Sequence, residues 1–269
     1  MLVIGENINA SNKSVGQAIA NRDHDFIQNL AKRQEEAGVD FIDVNVGLSH
    51  GSWVSPEAAM EWLVEAVQSV TKKPLVIDSD GPEVIKAGLR TSHGDKIMVN
   101  SVNAEPERLQ SIGPMASERG AFLVALAMGQ DGIPKTVEER VAACDMIMDN
   151  LKPMGMKEDQ VLFDPLMLPV SVDATQASIT LKTIERIKSR FPSAKTIIGL
   201  SNVSYGLPSR GLVNRAFLMM AAAAGLDAAI LNPLDAKAMS YVKAARMLLG
   251  RDAACRSYVR AYRAGTLVE

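Results

Sequence analysis

Metal-binding and nucleophilic side chains are scarce in this sequence. Its 269 residues include two cysteines, Cys144 and Cys255, and three histidines, His24, His50 and His93. No Cys-x-x-Cys pair and no His-Glu-x-x-His run occurs, which excludes a structural zinc site or an iron–sulfur cluster held by this chain alone. So few cysteines suit a reducing cytoplasm. Charge of one sign is also missing. Lys and Arg total 29 against 31 Asp and Glu, so a net charge of −2 provides no basic field for nucleic acid. The longest apolar run, 216–226, ends at Asp227 and is too short to cross a bilayer. The opening MLVIGENIN has no basic leader, so a cytoplasmic protein without a membrane span is expected.

What is present is ordinary globular material, 47% apolar and 22% charged. Short apolar runs alternate with longer amphipathic ones. Candidate strands are Leu2–Gly5, Phe41–Val44, Leu75–Ile77, Ile97–Val99, Phe122–Leu126, Val161–Phe163, Thr196–Gly199 and Ala228–Leu231. They are rich in Val, Ile, Leu and Phe without polar alternation, as in parallel strands covered on both faces. Helices read between them. Ser55-Pro56-Glu57 combines an N-cap, a first-turn proline and an early acid. Thr136 and Glu139 form a capping box, after which Val137, Val141, Cys144, Met148 and Leu151 share one face. Gly38, Gly88 and Gly225 are expected at helix ends. Asp252 to Tyr262 reads as an extra helix closing one end. Eight such units, with no linker, predict a single-domain (β/α)8 TIM barrel over 1–269, with a doubly wound open sheet as the other arrangement.

A barrel of this kind works at the C-terminal ends of its strands. Those ends carry Glu6, Asn7 and Asn9, then Asp43 and Asn45, then Asp78, Ser79 and Asp80, then Asn100, Ser101 and Asn103. Met128, Asp164, Ser201, Asn202, Ser204 and Asn232 follow on the remaining strands. The set is carboxylates and carboxamides, without lysine, histidine or cysteine. A carboxylate pairs with an amidine-like edge through two parallel hydrogen bonds, and Asn serves an amide edge. Guanine, pterin and folate rings all present such edges. Asp80 and Asn103 read as helix caps instead. Asp164, set between Phe163 and Pro165, needs a partner, because an unpartnered carboxylate is unfavourable in an apolar setting. The histidines read as surface residues, and the methionines, Met167, Met219 and Met220 among them, mostly as core. Cys144 and Cys255 read as inert.

These residues belong to longer motifs: IGENIN (4–9), FIDVNVG (41–47), AMEWLVE (59–65), VIDSD (76–80), VNSVNAE (99–105), FDPLMLP (163–169), IGLSNVSYGLPSR (198–210) and LVNRAFLMM (212–220). In this order they resemble the pterin-binding methyltransferase family, in particular the small stand-alone methyltetrahydrofolate:corrinoid/iron–sulfur protein methyltransferases and methylcorrinoid:tetrahydrofolate methyltransferases. The resemblance implies a barrel enzyme that moves a methyl group between 5-methyltetrahydrofolate and the cobalt of a corrinoid, in a direction the sequence leaves open. By position, Asp78, Asn100 and Asp164 match residues that hydrogen-bond the pterin ring, Asp164 on the edge with the exocyclic amine. Asn202 matches the asparagine near the methyl-bearing nitrogen and is the candidate catalytic residue. Gly199 and Ser201 match positions lining the pocket beside it, and Glu6, Asp43 and Asn45 line the same mouth. Cobalt would be the methyl's other partner, so this chain binds no metal itself, and a separate corrinoid protein is implied, as is a homodimer. Where the family reads GERIN this sequence has Asn7, and Tyr205 replaces a polar amide; that tyrosine can stack on the pterin side, meet the corrin or pack. Two other readings compete with this one. A dihydropteroate synthase-like enzyme is disfavoured by GENINAS after the first strand and by the absence of an Ser-x-Arg motif after the last. A pterin-binding protein without activity is disfavoured by the intact Asp78, Asn100, Asp164 and Asn202.

Overall fold

The structure, a computed structural model, describes residues 1–47, 55–130 and 132–269. In chain order the elements are β1 (Leu2–Asn9), α1 (Lys13–Ala20), α2 (His24–Ala37), β2 (Phe41–Asn45), α3 (Pro56–Gln68), β3 (Leu75–Asp78), α4 (Pro82–Thr91), β4 (Ile97–Val102) and α5 (Pro106–Arg119). Then come β5 (Phe122–Leu126), α6 (Val137–Leu151), β6 (Val161–Asp164), α7 (Gln176–Arg190), β7 (Lys195–Gly199), α8 (Arg210–Ala223), β8 (Ala228–Leu231), α9 (Ala236–Leu248) and α10 (Arg256–Arg263). All strands are parallel, each pairs with its sequence neighbours, and β8 closes on β1. The sheet is therefore a closed barrel, not an open doubly wound sheet. No helix among the described residues is long and apolar enough to cross a membrane.

All eight expected strands are present. Four run one residue further than their apolar cores suggest, and two run several further: β1 continues to Asn9 and β4 to Val102. Both extensions pass an irregularity in register, between Gly5 and Ile8 and between Asn100 and Val102. The helix signals also appear in place. Ser55 accepts from Ala58 N at the start of α3, and Thr136 and Glu139 close the capping box of α6. Gly38 ends α2 in the left-handed conformation, at φ 93°.

Several local expectations need correction. Gly88 does not end a helix; it is buried within α4, which runs on to Thr91. Its missing Cβ lets that helix lie against β3, since a Cβ there would stand 2.6 Å from Ile77 and 3.1 Å from Met60. Asp80 is not a cap, because Gly81 occupies that position. Asn103 instead accepts from Glu105 N, the residue that caps α5. Cys144 is buried on α6 as expected, but Cys255 is exposed. Met167 is buried and Met219 packs against the core, whereas Met220 is 53% exposed.

Two apolar layers build the molecule. Between sheet and helices lies the larger core, including Ile8, Val44, Ile77, Val99, Phe163 and Ile198. Inside the barrel a smaller cluster takes one residue from each strand: Ile4, Phe41, Val76, Met98, Val124, Leu162, Ile197 and Ala228. Side chains alternate across a strand, so the residue two places further along points inward again. Those residues are Glu6, Asp43, Asp78, Asn100, Leu126, Asp164, Gly199 and Ile230. Six of these eight, Leu126 and Ile230 aside, were singled out from the sequence as site residues. The barrel therefore has an apolar floor, with a polar layer directly above it.

Gly88→Ala tests the close approach of α4. Alanine favours a helix by about 1 kcal/mol over glycine, but overpacking against Ile77, held in the barrel, costs about 1–3 kcal/mol. A net loss of stability, read as a lower Tm in thermal unfolding, is expected; a Tm at or above that of the parent would show that the helix can retreat freely.

Candidate active site

The polar layer opens at the C-terminal mouth of the barrel. In register, Asn45 pairs with Asp78 and Asp78 with Asn100, so three adjacent strands present carboxamide, carboxylate and carboxamide at one level. Asn45 Nδ2 donates to Asp78 Oδ2 at 2.7 Å, and Asn45 Oδ1 accepts from Gly47 N at 2.6 Å. Both ends of the Asn45 amide are thereby oriented. A cavity of about 430 Å³ opens beside them, lined by Ala10, Asn45, Gly47, Asp78, Ser79 and Asp80 among others. A second, of about 260 Å³, lies across the mouth between Glu6, Ser201, Arg210, Asn214 and Asn232.

Burial governs the charge state of the acids. Asp78 is pushed up to about 6, chiefly by desolvation and further by Asp80, while the Asn45 hydrogen bond and Arg108 act against this. Asp164 also rises to about 6 through desolvation, opposed by the N–H of Leu166, which donates to Oδ1 at 2.8 Å, and by Arg140. Asp43 is 2% exposed and pairs in register with Val76 of the apolar floor. Desolvation, together with the charges of Asp78 and Glu6, raises it well above the usual carboxylate range, and the Asn100 amide offsets only part of this. Its Oδ1 has no hydrogen-bond partner. Glu6 is raised by burial too, moderated by Ser201 Oγ at 3.3 Å and by Arg210.

The structure brings the expected site residues to one mouth: Glu6, Asp43, Asn45, Asp78, Asn100, Asp164, Gly199, Ser201 and Asn202 all lie at the C-terminal ends of their strands. Asn202 sits in the 3₁₀ turn Leu200–Ser204 that follows β7, and it is exposed. A Cβ on Gly199 would stand 3.0 Å from Asn202 Nδ2, so a glycine at 199 lets the amide fold back over the strand end. Asn7 donates to Asn232 Oδ1 at 3.0 Å, linking β1 to the loop after β8. Tyr205 does not pack; it is 67% exposed, with the Arg210 guanidinium 6.0 Å from its ring centre. His24 and His93 lie exposed, away from the mouth, and His24 Nε2 accepts from Trp62. His50, also read as a surface residue, lies outside the described residues.

Sequence reasoning missed three arginines. Arg108 donates to the carbonyls of Ser79, Asp80 and Ser101. Arg140, fully buried, donates to Pro134, Pro165 and Leu166 carbonyls and to Gln176. Arg210 donates to Ser201 O at 2.7 Å and to Ser204 Oγ at 3.1 Å. Arg210 lies inside a quoted motif, and Arg140 falls among the apolar positions of α6. A cation on a core-facing stretch is the one signal that could have found it.

The pattern of residues matches known proteins over most of its length. Residues 5–232 match the family described as pterin binding enzyme. The chain is 32% identical over 272 residues to methylcorrinoid:tetrahydrofolate methyltransferase of Eubacterium limosum, spanning 99% of this chain and 98% of that protein. It is 31% identical over 245 residues to methionine synthase of Mycobacterium leprae (strain TN), which is 86% of this chain and 20% of that longer protein. Among solved structures, dihydropteroate synthase from Xanthomonas albilineans in complex with 7,8-dihydropteroate superposes with a TM-score of 0.64 at 18% identity, covering 94% and 93% of the two chains. The Stenotrophomonas maltophilia dihydropteroate synthase gives 0.65, also at 18%. At such identities the structural likeness is one of fold.

The raised acids set a pH dependence with a definite sign. With Asp78 and Asp164 at about 6 in the fold against 3.8 free, the folded protein holds more protons than the unfolded chain between those values. This stabilisation is complete below the lower value and is lost as pH rises through about 6. The ligand-free protein should therefore melt higher at pH 5 than at pH 7.5, and Asp164→Asn should flatten the difference. A parent Tm that falls on going to pH 5 would show that these acids are held as ion pairs instead.

Proposed function

Because the chain belongs to the pterin binding enzyme family, we propose that it is a methyltransferase moving a methyl group between a corrinoid and tetrahydrofolate. The carrying observation is the in-register polar layer, Asn45–Asp78–Asn100 with Asp164, standing on an apolar floor inside a closed barrel. It fits a flat heterocycle with N–H donors on one edge and ring acceptors on another. Asp164, with Oδ1 engaged by Leu166, keeps Oδ2 for the ring edge that carries the exocyclic amine. Asp78 and Asn100 take further ring atoms.

Asn202 is the proposed catalytic residue. From the rim its carboxamide reaches the methyl-bearing nitrogen and stabilises, as a hydrogen-bond donor, the lone pair that develops there when the methyl leaves. The corrinoid supplies the methyl's other resting place, its cobalt, and is brought by a separate corrinoid protein. The exposed position of Asn202 suits a partner that must approach from outside. Both directions share one transition state, so one pocket serves both. Flow from methylcorrinoid to tetrahydrofolate is the direction proposed, being that of the full-length relative's name. Carriage by a cytoplasmic, homodimeric enzyme completes the reading. A second copy is supported by the outward apolar residues Leu212 and Met220 on α8 and Tyr241 and Leu248 on the adjacent α9.

Two measurements test this. With methylcobalamin as donor, the purified protein should produce 5-methyltetrahydrofolate, and Asn202→Ala should lower kcat by about 10²-fold or more while binding of tetrahydrofolate persists. Asp164→Ala should instead abolish that binding. Unchanged transfer by Asn202→Ala would remove it as donor, and no methyl transfer by the parent protein in either direction would overturn the function. In sedimentation, the parent should be a dimer, and Leu212→Glu with Met220→Glu should be monomeric; a monomeric parent would refute the paired state.

A further inference from the structure

The two ring-facing acids share a device. The residues immediately after each one are tied from behind by a single arginine. After Asp164, the carbonyls of Pro165 and Leu166 both accept from Arg140 Nη1, at 2.7 and 2.9 Å. After Asp78, the carbonyls of Ser79 and Asp80 accept from Arg108 Nη2 and Nη1, at 3.2 and 2.6 Å. Arg108 also donates twice to Ser101 O, the residue after Asn100. Resting on the pterin reading above, we propose that Arg108 and Arg140 are positioning residues for tetrahydrofolate, fixing the direction of the acids and supplying the positive charge that faces them.

Arg140 shows how the device works. Its side chain is fully buried, and among the described residues it forms no ion pair. All three guanidinium nitrogens donate, and to neutral acceptors: the carbonyls of Pro134, Pro165 and Leu166, Gln176 Oε1 at 2.9 Å and, more distantly, Thr180 Oγ1. A buried cation without a counter-ion is strongly unfavourable for stability alone. The charge it answers is Asp164, which faces Arg140 and the neutral Cys144 thiol from α6 and pairs with Leu126 on β5.

The coupling runs through one residue. Leu166 lies in the left-handed region, at φ 64°, which leucine rarely adopts. In that conformation its N–H reaches Asp164 Oδ1 while its carbonyl reaches Arg140. The guanidinium thus holds the peptide that holds the carboxylate. Arg108 ties the chain behind Asp78 and Asn100 across two strands without such a peptide link to the carboxylate, and Asp78 meets Arg108 together with Asn45, Asp43 and Asp80. Only a five-donor planar fork can span these sets of carbonyls; a lysine could keep the charge but not the reach.

The test is tetrahydrofolate binding followed against pH by calorimetry, without corrinoid, in Arg140→Lys, Arg140→Met and Arg108→Gln. For the charge-removing variants, Kd at pH 7.5 should rise about tenfold, about 1.4 kcal/mol. The acid limb of binding should move up by about one pH unit, as when an opposite charge leaves a carboxylate. Arg140→Lys should weaken binding with a smaller shift of the limb, which a merely structural role would not separate. If Arg140→Met does not fold, Arg108→Gln, altered on a half-buried side chain, carries the same test at Asp78. Folded charge-removing variants that bind with the parent's Kd and acid limb would overturn the proposal. A parent protein that fails to bind tetrahydrofolate at all would instead overturn the pterin reading.

Discussion

Carboxylates standing on an apolar floor inside a closed barrel are the constraint around which this molecule is arranged. The floor is one apolar residue per strand, and period-two alternation puts Glu6, Asp43, Asp78 and Asp164 in the layer directly above. Desolvation is the largest influence on all four. What surrounds them is compensation: the Asn45 amide on Asp78, the Leu166 N–H on Asp164, the Ser201 hydroxyl on Glu6. Asp43, buried beside Val76 of the floor, is raised by desolvation together with the charges of Asp78 and Glu6.

The same constraint explains the chemistry available. Acids already stripped of water gain more from a fitting N–H edge than solvated acids would, because no hydration has to be given up on binding. Buried amide and carboxyl oxygens without partners, Asp43 Oδ1 and Asn7 Oδ1, are tolerated near the mouth, where a strict rule of polar satisfaction is broken. Near-neutral composition conceals a local balance: Arg108 and Arg140 stand behind the loops after Asp78 and Asp164, and Arg210 lies near Glu6, so positive charge is placed where the negative charge is.

Much of this was legible in the residues. Unalternated Val/Ile/Leu runs marked all eight strands, since strands covered on both faces need no polar side. The acids and amides at their ends stood out because apolar runs stop at them. What was misread depended on packing. Gly88 resembles a helix stop, yet it serves as the contact point of α4 on Ile77. Asp80 and Asn103 carry cap-type side chains, but the chain turns one or two residues later than their chemistry suggests. Tyr205 could have packed, and its exposure on a rim turn is set by the course of the loop. The clamping arginines gave little local signal beyond the cation on the core-facing stretch of α6, since most of their acceptors are backbone carbonyls 6 to 29 residues away in sequence.

By itself the sequence determined the alternation of strands and helices and the polar character of the strand ends, because periodicity and residue type act locally. Only the tertiary structure decided that the sheet closes, that Asn45, Asp78 and Asn100 come into one register, and that an arginine ties the loop behind Asp78 and another the loop behind Asp164. Those are relations between segments far apart in the chain, and only packing around a common core brings them together.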